Sequence, residues 1–109
     1  MSKQKILTFG EHIRGLRENA GLPIRKVAAK LDIDPSLLGK IERNDRQPTK
    51  EQIKKLAHIF KENEEYLLSE FLSDQIAYKI LEEESDLSVL KVAEKKVHYL
   101  KTKQGIAIE

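Results

Sequence analysis

The sequence predicts an all-α protein, and three observations lead to this fold class. Apolar residues recur at intervals of three and four along most of the chain, which is the spacing of one helix face. Residues that start or end helices separate these runs, and no alternating strand pattern is visible. The composition, 39% hydrophobic and 35% charged without Cys, is typical of a charge-rich helical protein without disulfides.

The first part of the chain predicts two short helices. Phe9, Ile13 and Leu16 fall on one helical face, so we expect a helix over residues 8–20 that ends before Gly21, a residue that readily adopts a left-handed conformation. A second apolar stripe predicts a helix over about residues 23–31, with a proline at its first position, where the missing N–H has no cost.

Two further helices follow within the first sixty residues. Asp34 is expected to cap a third helix that Pro35 opens and that runs to about residue 43. Thr49 and Gln52 have the spacing of a capping box, in which each side chain bonds the other residue's backbone N–H, and predict a fourth helix through about residue 60. Four short helices predict a compact bundle.

The remaining chain continues the helical pattern. Asn63 is expected to cap a fifth helix, which the polar residues 73–74 interrupt in this interpretation. A second break at residues 82–86 precedes a helix over about residues 87–100, and the tail after it is expected to be frayed.

The short connection between the second and third helices carries the functional argument. Only "DID", residues 32–34, joins them, so the two helices must cross steeply, and the small Ala28 allows a close crossing. This is a helix-turn-helix arrangement. Leu38 and Ile41 would hold the third helix from behind, leaving its opposite face able to enter a groove as wide as the DNA major groove, about 12 Å.

The charge distribution favours a polyanion as the partner. Residues 1–61 contain 14 Lys or Arg against 7 Asp or Glu, which gives +7, whereas residues 62–109 contain 6 against 11, which gives −5. The sequence contains no catalytic constellation, no metal-ligand spacing and no cofactor motif, so we expect neither an enzyme nor a metal or cofactor site. Without an apolar run of membrane-spanning length, a cytoplasmic location is expected.

A family resemblance rests on the run "IRGLRENAGLPIRKVAAKLDIDPSLLGKIERNDRQPTKEQIKKLAHIF". This run resembles the Xre/Cro/phage-repressor helix-turn-helix family over just under half of the chain. The resemblance implies a lambda-repressor-like five-helix DNA-binding bundle in residues 1–72, with additional C-terminal helices in residues 73–109. It also implies a homodimer on a pseudo-palindromic operator in double-stranded DNA.

The resemblance implies roles for individual residues. Arg17 matches an arginine that pairs with the glutamate at Glu42. The positions that match DNA-contacting residues of the family are Arg25, Lys26, Pro35, Ser36, Leu37, Gly39, Lys40, Arg43, Asn44 and Arg46. Lys40 has the chemistry to read guanine, Ser36 a base or phosphate, and Leu37 a thymine methyl group, while the absence of a side chain at Gly39 would allow close approach. The cationic residues at the start of the second helix and at or after the end of the third would contact phosphates. These are Arg25, Lys26, Arg43 and Arg46.

The chain departs from the family pattern at two places. Pro23 and Ile24 stand where the family often has Ser or Thr followed by Gln, so a common glutamine contact to DNA is missing. Asp32 replaces the usual turn glycine. Asp adopts the left-handed backbone conformation less readily than glycine does.

The C-terminal extension has more apolar side chains than a solvated tail. We expect it to be the dimerisation region, with an interface formed by Ile76, Ile80, Leu81, Leu90, Val97 and Leu100. In such a dimer, the third helices of the two copies would lie about 34 Å apart, which is one turn of DNA. In the alternative interpretation, these side chains fold back on their own bundle.

Three functions remain open. The first is a transcription regulator, expected to be a repressor, whose homodimer occupies an operator. The second is an antitoxin or a controller of restriction-modification genes with the same fold. The third is a protein-interaction module without DNA binding, in which the third helix contacts a protein partner. In none of them does the protein contact a membrane.

Overall fold

The computed structural model describes residues 6–105 and has six α-helices and no strand in this range. The helices are α1 (Phe9–Asn19), α2 (Ile24–Leu31), α3 (Pro35–Glu42), α4 (Lys50–Phe60), α5 (Glu64–Glu82) and α6 (Val89–Lys103). The all-α prediction is therefore confirmed. The chain divides into two compact units between Gln75 and Ile76. None of the helices in the described range is long and apolar enough to cross a membrane.

The predicted helix starts are confirmed where a side chain caps the helix. At α4, the Gln52 N–H donates to Thr49 Oγ1 at 3.1 Å, and the Thr49 N–H donates to Gln52 Oε1 at 2.9 Å. At α3, Asp34 Oδ1 accepts from the Ser36 N–H at 2.9 Å. The Tyr66 N–H likewise donates to Asn63 Oδ1 at 2.9 Å, at the start of α5. These bonds satisfy amides that have no partner within their own helix.

Two predicted helix boundaries are wrong. Pro23 is not the first residue of α2 but the residue before it, with an extended backbone at φ −70° and ψ 153°. At the other end of the chain, α6 starts at Val89 and continues to Lys103, so the first residues of the predicted frayed tail are helical. The last residues of that tail, 106–109, lie outside the described range.

The predicted break in α5 at residues 73–74 is also wrong, because both polar side chains find partners that leave the helix intact. The Ser73 hydroxyl donates to the Glu70 carbonyl at 2.7 Å, one turn earlier in α5. Asp74 Oδ2 accepts from the Phe9 N–H at 2.7 Å, at the start of α1. The contact satisfies one of the amides that α1 cannot pair internally.

The first unit has one apolar core, to which all of its helices contribute. The buried side chains are Phe9, Ile13, Val27, Ala28, Leu31, Leu38, Ile41, Ile53, Leu56, Ala57 and Leu67. The small Ala28 is completely buried, as expected for a close helix crossing. Asp32, which follows α2, has φ 58° and ψ 45° and so makes the left-handed turn that the family usually forms with glycine.

A buried ion pair links α1 to the end of α3. Arg17 Nε donates to Glu42 Oε2 at 2.7 Å, and Nη2 donates to Glu42 Oε1 at 3.0 Å, which is a bidentate arrangement. The side chains of Arg17 and Glu42 are only 13% and 5% exposed. The hydrogen bond to Glu42 raises the pKa of Arg17 above its ordinary value, so the guanidinium stays charged. Arg17 also donates to the Leu22 carbonyl at 3.0 Å.

The second unit consists of the end of α5, a turn and α6. Its described residues, 76–105, include none that is buried. Five of the six residues predicted for a dimer interface are exposed, and Ile80 is half-buried. Both interpretations of these side chains, a dimer interface and packing on their own bundle, therefore stay predictions.

Removing one partner of the ion pair should destabilise the protein strongly. We expect Glu42→Ala to lower the free energy of unfolding by about 3–5 kcal/mol, because it leaves the Arg17 charge buried without its partner. Replacing both residues, as Arg17→Met with Glu42→Leu, should cost less than the single change. Urea denaturation followed by circular dichroism measures both.

The matched control for this prediction is the exposed pair of Arg14 and Glu18 on α1, which are 59% and 54% exposed. Glu18→Ala should cost less than about 1 kcal/mol. A loss in the Glu42→Ala variant no larger than this control would contradict the role of the buried pair.

Asp74 should make the stability decrease as the pH rises. Burial raises the pKa of its carboxyl above the ordinary 3.8, although the hydrogen bond from the Phe9 N–H lowers it. The folded state therefore binds this proton more tightly than the unfolded state, and stability falls as pH rises from the ordinary pKa through the raised one. We expect Asp74→Asn to remove that fall, measured as urea midpoints across the acid range.

A control of opposite sign lies in the same unit. The hydrogen bond from the Ser36 N–H lowers the pKa of Asp34, so its contribution is present above the ordinary pKa and is lost as the pH falls. Asp34→Asn should therefore change the slope in the opposite direction. Equal pH profiles for the two variants would show that the proton linkage of Asp74 has been assigned the wrong sign.

Candidate nucleic-acid interface

Helix α3 has one face in the core and one face in solvent. Leu38 and Ile41 are 0% and 1% exposed, respectively. Ser36, Lys40 and Arg43, which follow one another at intervals of four and three, are all exposed. The core therefore holds the helix from behind, and a row of polar and cationic side chains is available on its free side.

The start of α3 is preorganised by its cap. The Ser36 hydroxyl donates to Asp34 Oδ1 at 2.8 Å, in addition to the backbone bond that caps the helix. The lowered pKa of Asp34 keeps this carboxylate ionised. The hydroxyl oxygen of Ser36 can still accept a hydrogen bond, whereas the neighbouring carboxylate disfavours a phosphate at this point.

The basic residues predicted to contact DNA differ in whether they form an ion pair within the protein. Arg25, Lys26, Lys40 and Arg46 are exposed and form no ion pair within residues 6–105. Arg43 is also exposed, but its Nε lies 3.3 Å from Asp45 Oδ2. Arg25, Lys26, Lys40 and Arg46 are therefore available to an anionic partner.

Two residues expected to face bases have contacts inside the protein. Leu37 is half-buried and packs against the core. Gly39 is buried, and a Cβ at this position would lie 3.3 Å from Arg43 Nη1 and 3.7 Å from Ile24 Cδ1. The tighter of these contacts is with the end of the Arg43 side chain, whereas the distance to Ile24 of α2 is an ordinary van der Waals contact. Pro35, at the first turn of α3, is exposed.

Asn44 has a structural role that the sequence did not reveal. It has φ 64°, and its Oδ1 accepts from the Gly10 N–H at 3.1 Å while its Nδ2 donates to Thr8 Oγ1 at 2.8 Å. The side chain thus fastens the turn after α3 to the start of α1. Both halves of the amide are used in the fold, and its predicted phosphate contact stays a prediction.

Gly10 is the other residue that sequence reasoning missed. A Cβ at this position would lie 2.5 Å from the carbonyl oxygens of both Ile41 and Glu42, at the end of α3. Only glycine allows the backbones of α1 and α3 to approach this closely. The available signal was a glycine inside the first turn of a predicted helix, where it lowers helix propensity without ending the helix.

The geometry defines a class of protein. Two helices joined by a short left-handed turn cross closely, and the second presents exposed Ser36 and Lys40 beside free cations at the start of α2. This is the helix-turn-helix architecture of proteins that place one helix in the DNA major groove. Within the described range, no group of three or more His, Asp or Glu residues could hold a metal ion.

The chain belongs to the Xre-like helix-turn-helix family of DNA-binding transcription regulators. The family profile matches residues 13–67, just over half of the chain. No curated protein matches the chain.

Solved structures agree with this assignment. SinR, described as the master regulator for biofilm formation and crystallised with DNA, is 26% identical at a TM-score of 0.51, over 56% of this chain and 98% of that chain. ClgR, the clp gene regulator of Corynebacterium glutamicum, is 17% identical at a TM-score of 0.53, over 88% of each chain. A complex of SinR and SinI matches at 18% identity and a TM-score of 0.52, over 87% of this chain and 99% of that chain. The last two show similarity of fold alone.

Adding one methyl group at Gly10 should disturb the position of α3. We expect Gly10→Ala to lower the free energy of unfolding by about 1–3 kcal/mol, because two backbone oxygens must move to admit the Cβ. DNA affinity, measured by fluorescence anisotropy, should fall as well. Chemical denaturation supplies the stability value.

Gly15 provides the control within the same helix, since a Cβ there would meet nothing within 4 Å. Gly15→Ala should stabilise the protein by about 0.5–1 kcal/mol, because alanine is the better helix former. If Gly10→Ala were equally stabilising, the close approach of α1 and α3 would be refuted.

Proposed function

We propose that the protein is a sequence-specific DNA-binding repressor that acts in the cytoplasm as a homodimer, with α3 in the major groove. In this proposal, residues 1–72 bind DNA and residues 73–109 dimerise. The observation that carries it is the exposed row on α3, with Lys40 at its centre, held outward by buried Leu38 and Ile41. The function needs neither a catalytic group nor a cofactor.

The proposed contacts are divided by chemistry. Lys40 donates to guanine O6 and N7, and Ser36 bonds to a base, because the Asp34 carboxylate beside its hydroxyl disfavours a phosphate. Arg25 and Lys26 contact phosphates from the start of α2, and Arg46 does so from the turn after α3. The crystal structure of SinR with DNA supports this role, because SinR is 26% identical to this chain over almost its full crystallised length.

The proposed dimer follows from the exposed apolar residues of the C-terminal unit. Ile76, Leu90, Val97 and Leu100 are each between 43% and 50% exposed. Exposing such a group of apolar side chains to water is unfavourable. Packing against a second copy would bury them. A two-fold axis through this contact would pair two α3 helices with two half-sites about one DNA turn apart.

Selection from random duplex DNA is the first test of this function. The bound fragments should contain a pseudo-palindrome with half-sites spaced by about one helical turn, or 10 base pairs. A protein that neutralises six or more phosphates should then lose affinity by on the order of a thousandfold between about 50 and 200 mM salt. A protein-interaction module would enrich no sequence and respond little to salt.

Substitutions of Lys40 and Arg46 should separate base reading from phosphate binding. Lys40→Ala should relax the preference at one base position by about 1–3 kcal/mol, because it removes donors to a base edge. Arg46→Ala should weaken binding to all sequences alike and lower the salt slope by about 1, because it removes a phosphate contact. Fluorescence anisotropy with the selected site and single-base variants measures both effects.

Lys91→Ala, an exposed change in α6, is the matched control and should leave both the base preference and the affinity nearly unchanged. If the Lys40 and Arg46 variants bound like this control, the proposed DNA-binding face would be wrong.

A further inference from the structure

The C-terminal unit contains two oppositely charged segments in succession. The first, residues 79–86 and here called the acidic segment, has four Asp or Glu and one Lys, which gives −3. The second is α6, which has five Lys and one Glu within Val89–Lys103, giving +4. The net −5 of the C-terminal half therefore conceals a strongly basic helix.

Each charged segment adjoins exposed apolar side chains. On α6, Leu90, Val97 and Leu100 are separated by seven and three residues, which fits the seven-residue repeat along the seam of paired helices, and they are 43%, 50% and 49% exposed. Before the acidic segment, Ile76 is 45% exposed, and within it Leu81 is 71% exposed. Both parts of the unit thus present apolar groups beside charge of one sign.

Within the described part of the second unit, residues 76–105, neither apolar group is covered. Every residue from 81 to 100 is exposed, and α6 contains no buried residue. A 15-residue helix without a packed face is only marginally stable in water. The basic helix therefore gains stability when an apolar partner with negative charge binds it.

We infer that α6 of one copy packs on the acidic segment and the adjoining end of α5 of a second copy, reciprocally across a two-fold axis. This rests on the proposed homodimer and specifies which segments meet. The chain itself supplies the matching partner, because the −3 segment and the +4 helix have complementary charge and both adjoin uncovered apolar residues.

Pairing α6 with α6 of the second copy fits the charges less well. Two helices of +4 each would lie side by side, and like charges across a helix interface disfavour pairing. Lys96 and Lys103 lie four residues before and three residues after Leu100, so they flank the apolar face. In the cross-pairing, these two lysines lie near carboxylates of the other copy.

Charge reversal on each segment tests the arrangement in the full chain. The first variant carries Lys96→Glu and Lys103→Glu on α6, and the second carries Glu83→Lys and Glu84→Lys on the acidic segment. Glu83 and Glu84 lie in the turn directly after α5, within four residues of Ile80. Each variant alone should dimerise at least about tenfold more weakly than the wild type by sedimentation equilibrium.

Mixing the two variants is the decisive measurement. In a mixed dimer, the substituted positions of one variant face the oppositely charged substituted positions of the other, and the second contact contains only wild-type residues, so a heterodimer should form with a dissociation constant within about threefold of the wild type. If α6 packed on its own acidic segment, mixing would restore nothing. If α6 paired with α6, the second variant alone would dimerise like the wild type. Either result overturns the cross-pairing.

Lys91→Glu with Lys95→Glu is the matched control, because it makes the same charge change on the opposite side of α6. It should change the dimer dissociation constant by less than about threefold. A wild-type chain that binds its operator but stays monomeric at about 100 µM would refute the homodimer itself. A dimer insensitive to both reversals would refute only the cross-pairing, and a dimer that selects no DNA sequence would instead refute the proposed function.

Discussion

An eight-residue helix cannot hold its shape in water by itself, and the structure of the first unit is a solution to that constraint. Leu38 and Ile41 place the back of α3 in the apolar core, and Glu42 places a carboxylate at its end against the Arg17 guanidinium. Apolar burial holds the helix in the core, and the bidentate ion pair fixes its rotation. The outward face therefore contributes nothing to the core, and its side chains can serve recognition.

The first helix is the scaffold against which α3 is positioned. The first amides of this helix donate hydrogen bonds to side chains from two distant parts of the chain. The Gly10 N–H donates to Asn44, and the Phe9 N–H donates to Asp74. These amides would be unsatisfied in an isolated helix, so the fold uses them as attachment points. Since Gly10 also lets the two backbones approach, the start of α1 determines how closely the end of α3 lies to α1.

Local sequence patterns predicted the fold where local chemistry decides it. The capping box of Thr49 and Gln52, the Asp34 cap and the apolar stripes act within a few residues, and they led to the order of the helices and to the exposed row on α3. They failed where a distant partner decides the outcome. Asp74 was interpreted as a helix break because its partner lies 65 residues away at Phe9. The contacts of Asn44 with Thr8 and Gly10 likewise join distant parts of the chain and are not visible in the sequence, whereas its DNA contact stays a prediction.

The contacts made by the middle of α5 have a consequence for how the protein can be shortened. Asp74 bonds the start of α1, and Gln75 Oε1 accepts from Gln47 Nε2 at 2.8 Å, so the turn after α3 is also fastened to this part of α5. Truncation after residue 72 would remove both side chains. The start of α1 and the turn after α3 would then each lose a hydrogen bond. A minimal autonomous fragment must therefore extend at least to Gln75, beyond the last residue of the apolar core.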